Sequence, residues 1–317
     1  MIDKLELLLA LAREKHFGRA AEACGITQPA LSSNLKSIEE QLGVRIVERG
    51  TRFLGFTPEG ERVLDWARRI VSDMRAMRQE ITTLKRGLTG HLRIGAVPTA
   101  LPAVAEITQS FAKRNGDVRI SVSSMTSDAI LSGLDNLELD AGISYVDEGL
   151  AQRYRVLSLY EERYGLVVGP ESPLAARNSI TWAEAGALPL CLLTPDMQNR
   201  RIIDHYLNEA GSDSGVRFES NSMMLLHVHV RSGDWATIAA LGSGHKFDPP
   251  MGLKVIPLMN PAATHQIGVI VRRQEPQPPI VSAFLSLARK FVSLEAAPAV
   301  TARRTKASRT LIAGQPD

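Results

Sequence analysis

Residues 58–86 constrain this chain more than any other stretch. After Pro58 they contain no proline, and Gly60 is their one glycine. Val63, Ala67, Ile70, Met74, Met77, Ile81 and Leu84 recur at alternating spacings of four and three residues. That period is a heptad seam, and it predicts one continuous helix of about 40 Å. So narrow a stripe suits a partner helix better than a globular core, which makes Ala67, Ile70, Met74, Met77, Ile81 and Leu84 candidate dimerisation residues. A helix packed on its own domain is the plain alternative. The rod divides the chain into a short N-terminal part and a long C-terminal part, and "RGLTG", ending at Gly90, reads as a hinge between them.

The N-terminal part reads as helices. Leu5, Leu8, Leu9 and Ala12 share one face, and a short second helix in "GRAAEAC" buries Ala20, Ala21 and Cys24. Gly25 permits a tight turn because glycine tolerates positive φ. Thr27 can cap the next helix and Pro29 fits its first turn, where a missing N–H is no loss. Leu31, Leu35, Ile38 and Leu42 form its apolar stripe, leaving Gln28, Ser32, Ser33 and Lys36 on the other side. Helix, glycine turn, helix is the helix-turn-helix arrangement, whose second helix enters the DNA major groove. Short hydroxyls allow close approach, Gln28 can pair with adenine, and Lys36 can reach phosphate or guanine. A merely solvated face is the alternative. "VRIVERGTRFLGFTPEG" then reads as a wing carrying Arg45, Arg49 and Arg52, after which Thr57 and Pro58 open the long helix.

The run "AAEACGITQPALSSNLKSIEEQLGVRIVER", followed by "FTPEG" and the long helix, resembles the N-terminal module of LysR-type transcriptional regulators. The match is ungapped over roughly sixty residues, and the family's organisation extends over nearly all the remaining chain. The resemblance implies DNA contacts from Gln28, Pro29, Ser32 and Ser33, beside the cap Thr27 and the cation Lys36, with Arg49 and Arg52 in the wing. Three positions depart from the family pattern. Ser33 stands where arginine is common, Val47 where phenylalanine is usual, and Gly18 where a serine N-cap is common.

From His91 onward, strand-like and helix-like segments alternate, which predicts an α/β layout with a mainly parallel sheet. The resemblance implies a two-lobed, periplasmic-binding-protein-like effector domain behind an all-α winged helix-turn-helix and linker helix. The expected division is 1–58 for DNA binding, 59–90 for the dimerisation helix and hinge, and 91–294 for the effector domain. Within the last, lobe I is 91–162 plus 268–294 and lobe II is 163–267; residues 295–317 are expected to be a disordered basic tail. Ligands in such sheets sit beyond C-terminal strand ends, at helix N-termini. Three short polar loops qualify, "VPTALP", "SSMTSD" and "TPDMQNR". They offer Pro98, Thr99, Ala100, Thr126, Ser127, Gln198 and Asn199, with Ser222 opening a further helix. Family analogy most strongly supports Thr99 and Thr126; simple N-capping is the alternative role. Helix dipoles and hydroxyls can hold one carboxylate without an arginine, so a small organic acid or related anion is the expected effector.

Net charge is +3, and the segment 296–317, with Arg303, Arg304, Lys306 and Arg309 against Asp317, supplies the whole excess. DNA binding therefore rests on arrangement rather than bulk charge. No apolar run reaches the roughly 18 residues that span a bilayer, and Asp3 and Glu6 argue against a signal peptide. A reduced, cytoplasmic protein with inert Cys24 and Cys191 is expected. "HVHV" at His227 lies in a helical pattern that separates its histidines, so no metal is expected, and no cofactor or catalytic constellation is visible. The expected protein is a homodimer or homotetramer that binds double-stranded promoter DNA and a small molecule, with RNA polymerase as a candidate further partner. Its rivals are a solute-binding protein and an enzyme on the same two-lobed fold. The DNA-binding module and the lack of a signal peptide count against both.

Overall fold

The computed structural model describes residues 1–48, 53–212, 215–242 and 250–295. Three helices, α1 (Ile2–Glu14), α2 (Phe17–Ala23) and α3 (Gln28–Leu42), pack against the first half of a long helix, α4 (Pro58–Arg86). Leu8, Leu11, Ala20, Leu31, Ile38, Leu64 and Val71 fill their common core. The chain leaving α3 is tied down by Glu39, a buried carboxylate that accepts from the Ile46 and Val47 N–H groups at 2.9 and 3.2 Å. Val47 bridges Phe56 in antiparallel fashion, forming the base of the expected wing. Arg49 and Arg52 lie outside the described residues. Thr57 caps α4 by accepting from the Gly60 N–H at 2.9 Å. Gly60 is required there, since a Cβ would collide with the Ile46 carbonyl.

Three local expectations change. The N-cap of α2 is His16, whose Nδ1 accepts from the Arg19 N–H, so Gly18 lies inside the first turn and no capping serine is missed. Leu42, the last member of the α3 stripe, is exposed, because the helix ends there at Gly43. The seam of α4 is divided. Ala67 is fully buried in the N-terminal core, whereas Ile70, Met77, Ile81 and Leu84 are 43%, 48%, 46% and 82% exposed and Met74 is half-buried. Ala67 therefore belongs to the intrachain core, because the start of α4 also packs on α1, and the outward face begins at Ile70 with Trp66 beside it.

The rest is α/β. In chain order the elements are β1 (Gly90–Ala96), α5 (Leu101–Arg114), β2 (Val118–Ser124), α6 (Ser127–Asp135), β3 (Ala141–Tyr145), α7 (Glu148–Arg153) and β4 (Tyr154–Val168). There follow β5 (Ile180–Thr181), α8 (Trp182–Gly186), β6 (Leu190–Leu193), α9 (Gln198–Glu209), β7 (Val216–Ser220) and α10 (Met223–Arg231). The last are β8 (Thr237–Leu241), β9 (Lys254–Met259), β10 (Thr264–Arg272) and α11 (Pro279–Glu295). The main sheet runs β2-β1-β3-β10-β4-β9-β5, with β8 also on β4, while β6 and β7 form a separate pair. It is more mixed than the alternating pattern predicts. β1 is parallel to β2 and β3, but β10 is antiparallel to β3 and β4, and β4 is antiparallel to β8 and β9. The antiparallel strands β4 and β10 are also the ones that run from one lobe into the other. The expected lobe limits at 162/163 and 267/268 therefore fall inside continuous strands, and the β4–β10 register shifts between Ile267 and Gly268. Each lobe has its own core, one around Phe111, Ile143 and Phe284, the other around Trp182, Leu190 and Ile203. Residues 296–317, the expected basic tail, lie outside the described residues.

Candidate functional site

Two polar surfaces have the chemistry for recognition. The first is the outer face of α3. Thr27 holds the helix start, accepting from the Ala30 N–H at 3.4 Å. Gln28, Pro29, Ser32, Ser33 and Lys36 are all exposed. Asn34 folds back to donate to the Ala30 carbonyl at 2.9 Å, which removes it from the face. Lys36 lies 3.7 Å from Glu40 on the same helix, a weak solvated pair that phosphate can replace. No bulky side chain stands on the face between Gln28 and Lys36, so a groove wall can approach the helix closely.

The second surface lies between the lobes. The turn Pro98–Ala100 precedes α5 and presents Thr99, while Pro98 and Ala100 are buried. Thr99 Oγ1 is 3.5 Å from the Tyr145 hydroxyl at the end of β3. From the second lobe, the Asn199 amide donates to the same hydroxyl at 3.3 Å. Tyr145 in turn donates to Glu162 Oε2 at 2.7 Å. Glu162 sits on the crossing strand β4 and is 1% exposed. Burial pushes its carboxyl up to about 7, although the hydrogen bonds from Tyr145 and Thr99 oppose that rise. Burial, and then the Glu162 charge, raise the Tyr145 phenol well above its usual range. Ser144, next to Tyr145, donates to Ser127 at 2.9 Å, and Thr126 caps α6 through the Ala129 N–H at 3.1 Å. At the rim, Arg201 of α9 reaches Asp128 of α6 across the lobes at 3.4 Å.

Of the residues singled out in sequence, the fold thus brings together Thr99 and Asn199, with Thr126 and Ser127 alongside. Among the described residues, no hydrogen bond links Gln198 or Ser222 to this network, and Ser222 caps α10. Arg200, next to Asn199, is buried and committed to Asp204 at 2.8 Å and Glu219 at 2.6 Å. Tyr145 and Glu162 are the functional candidates that sequence reasoning missed. A small anion entering here meets a carboxylate.

Comparison with known proteins identifies both parts of the chain. The family model described as bacterial regulatory helix-turn-helix protein, lysR family, matches residues 2–61. The one described as LysR substrate binding domain matches residues 85–293. The chain belongs to the LysR family of DNA-binding transcriptional regulators. The DNA-binding transcriptional dual regulator OxyR of Escherichia coli (strain K12) is 28% identical over 284 residues, covering 87% of this chain and 90% of that protein. A full-length OxyR variant from Pseudomonas aeruginosa shares the fold at TM-score 0.68 and 24% identity, over 91% of this chain and 97% of that one. CbnR in complex with its target DNA has TM-score 0.55 and 19% identity, over 92% and 99% of the two chains.

In this LysR-family regulator, β10 joins the cleft to the linker helix. Its first half pairs His265 with Glu162 and Gln266 with Glu161 of β4, and its end carries Arg272, which donates to Ser72 of α4. Gln274 then donates to Asp73 at 2.9 Å. Arg272 is largely buried, which lowers its guanidinium to about 10. Three other side chains resolve as packing. Trp235 lies 6.3 Å from Phe218 and 6.2 Å from His229 in a small apolar cluster. His227 is buried on α10, and His229 stacks on Phe218 at 4.1 Å. Among the described residues, no group of His, Cys, Asp or Glu has metal-site geometry, and no helix is long and apolar enough to cross a membrane.

Proposed function

We propose that two copies of this regulator pair through the outward face of α4, from Ile70 to Leu84, and present two α3 helices to successive half-sites of a promoter. Gln28, Ser32 and Ser33 read base edges, with Thr27 and Pro29 fixing the helix start. Lys36, Arg49 and Arg52 hold the flanking backbone. A small molecule, with a small carboxylate as the favoured class, binds between the lobes against Thr99, Asn199, Tyr145 and Glu162, flanked by Thr126 and Ser127. The observation that carries this reading is the convergence of Thr99 and Asn199, one from each lobe, on a single hydroxyl. A ligand that engages both closes the lobes, and β10 passes that change to α4 through Arg272 and Gln274. Operator spacing or bend then changes, within reach of RNA polymerase. A second dimer contact through the sensor lobes would give a tetramer. Promoter DNA places the regulator in the cytoplasm.

Several relatives are named hydrogen peroxide-inducible genes activators. The thiols of this chain do not favour carrying that over. Cys191 is buried, and burial pushes its thiol up to about 11; burial also raises Cys24, which lies in the DNA-binding part. A reactive cysteine needs the opposite shift. Footprinting the protein on DNA upstream of its own gene, with and without metabolites of neighbouring genes, tests the proposal. A protected two-part site whose pattern changes with one small molecule supports it; no protection refutes it.

A further inference from the structure

The side chains hydrogen-bonded to Glu162 are uncharged. Tyr145 of β3 donates to it, the Thr99 hydroxyl faces it, and Tyr164 on its own strand has a buried hydroxyl without a hydrogen-bond partner among the described residues. His265 of β10, the cross-strand partner of Glu162, packs its ring 6.4 Å from Tyr145, 5.8 Å from Tyr164 and 6.0 Å from Tyr206 of α9. Burial, and then His205, lower the His265 pKa, which disfavours its charged form. The neighbours Glu161 and Arg163 are exposed, as strand alternation requires of the residues flanking a buried one. The charges nearest the cleft mouth, Arg201 and Asp128, pair with each other.

Thr99 and Asn199 can turn to an acceptor ligand while Tyr145 keeps its O–H on Glu162, and the N-terminus of α6 adds to that preference. A ligand carboxylate held by these donors lies beside a second, buried carboxylate. Two such groups cannot both stay ionised, and they share one proton. We propose that the cleft takes up a small monocarboxylate together with one proton from solvent, held between the ligand and Glu162. This rests on the reading of the cleft as a carboxylate site and adds the proton to it. The position of the Glu162 carboxyl near neutrality sets the working range: at pH 6 the proton is already in place, and at pH 8 it must be acquired on binding.

Calorimetric titration of the intact protein with C1–C4 monocarboxylates, at pH 6 and pH 8 in two buffers of different ionisation enthalpy, tests this. The expected affinity is about tenfold higher at pH 6, with close to one proton taken up per ligand at pH 8. Glu162→Gln should bind equally at both pH values without proton uptake, and Glu162→Asp should restore the pH dependence. Carboxylate binding with the same affinity and no proton uptake at both pH values in the native protein overturns the proton sharing and leaves the carboxylate reading intact. Binding of no monocarboxylate at either pH, by protein that still protects operator DNA, overturns the carboxylate reading itself.

Discussion

The outer face of α3 and the cleft between the lobes are built from the same kinds of group, hydroxyls and amides, and use them in opposite ways. On α3, Ser32 and Ser33 are exposed on a rigid helix, and their capacity to bond is left for a partner. In the cleft, Thr99, Tyr145 and Asn199 already satisfy one another around a buried carboxylate. The first surface is ready for a large, polyanionic, wet partner. The second can release its bonds only to a ligand that replaces them, because an unpaired buried polar group costs about 1–3 kcal/mol. On the proposed reading, readiness on one side and internal satisfaction on the other separate a DNA-reading face from a switch.

The largest effect should come from separating the two α3 faces. Charging the outward side of α4 with Met77→Asp and Ile81→Asp together should turn a dimer into a monomer. Loss of two apolar anchors per subunit weakens pairing by on the order of 5 kcal/mol. Light scattering reads the mass and anisotropy the fall in operator affinity; an unchanged mass would remove this face from the interface. Ala67→Asp, by contrast, should unfold the N-terminal module, because Ala67 is buried within one chain.

A smaller effect sharpens the cleft. Glu162 has its carboxyl raised by burial to about 7, so the folded state holds a proton that the unfolded chain releases near the ordinary carboxylate value. Its contribution to stability is therefore greatest at acid pH and is lost as pH rises through 7, by up to about 3 kcal/mol. Chemical denaturation from pH 5 to pH 8 should show that slope, and Glu162→Gln should flatten it. The smallest effect concerns α3 itself. Thr27→Ala removes its N-cap bond and should cost about 1 kcal/mol of stability, read as a lower midpoint on denaturation.

The two surfaces were also unequally legible. α3 could be placed by period alone, because Leu31, Leu35 and Ile38 repeat at helical spacing and leave the polar residues by subtraction. Thr99 and Asn199 were visible because each opens a helix after a strand. Tyr145 and Glu162 were not. "YEERYGL" gives three adjacent charges with nothing to say which one the crossing strand turns inward, and only the fold puts Tyr145 opposite it. Ala67 failed for a related reason: a heptad seam does not say whether its partner is the same chain or another. The crossing of β4 and β10 joins segments about a hundred residues apart, which no local pattern reports.

The most direct measurement is the affinity of the intact protein for its own promoter fragment after Ser32→Glu and Ser33→Glu, followed by anisotropy at fixed salt. Two acids on the groove-facing side should lower affinity by at least about a hundredfold, since each base contact is worth roughly 1–3 kcal/mol and both acids also meet phosphate repulsion. The α4 pairing and the cleft's ligand response should persist. Unchanged promoter affinity in the folded double variant would show that DNA is read elsewhere and would contradict the account.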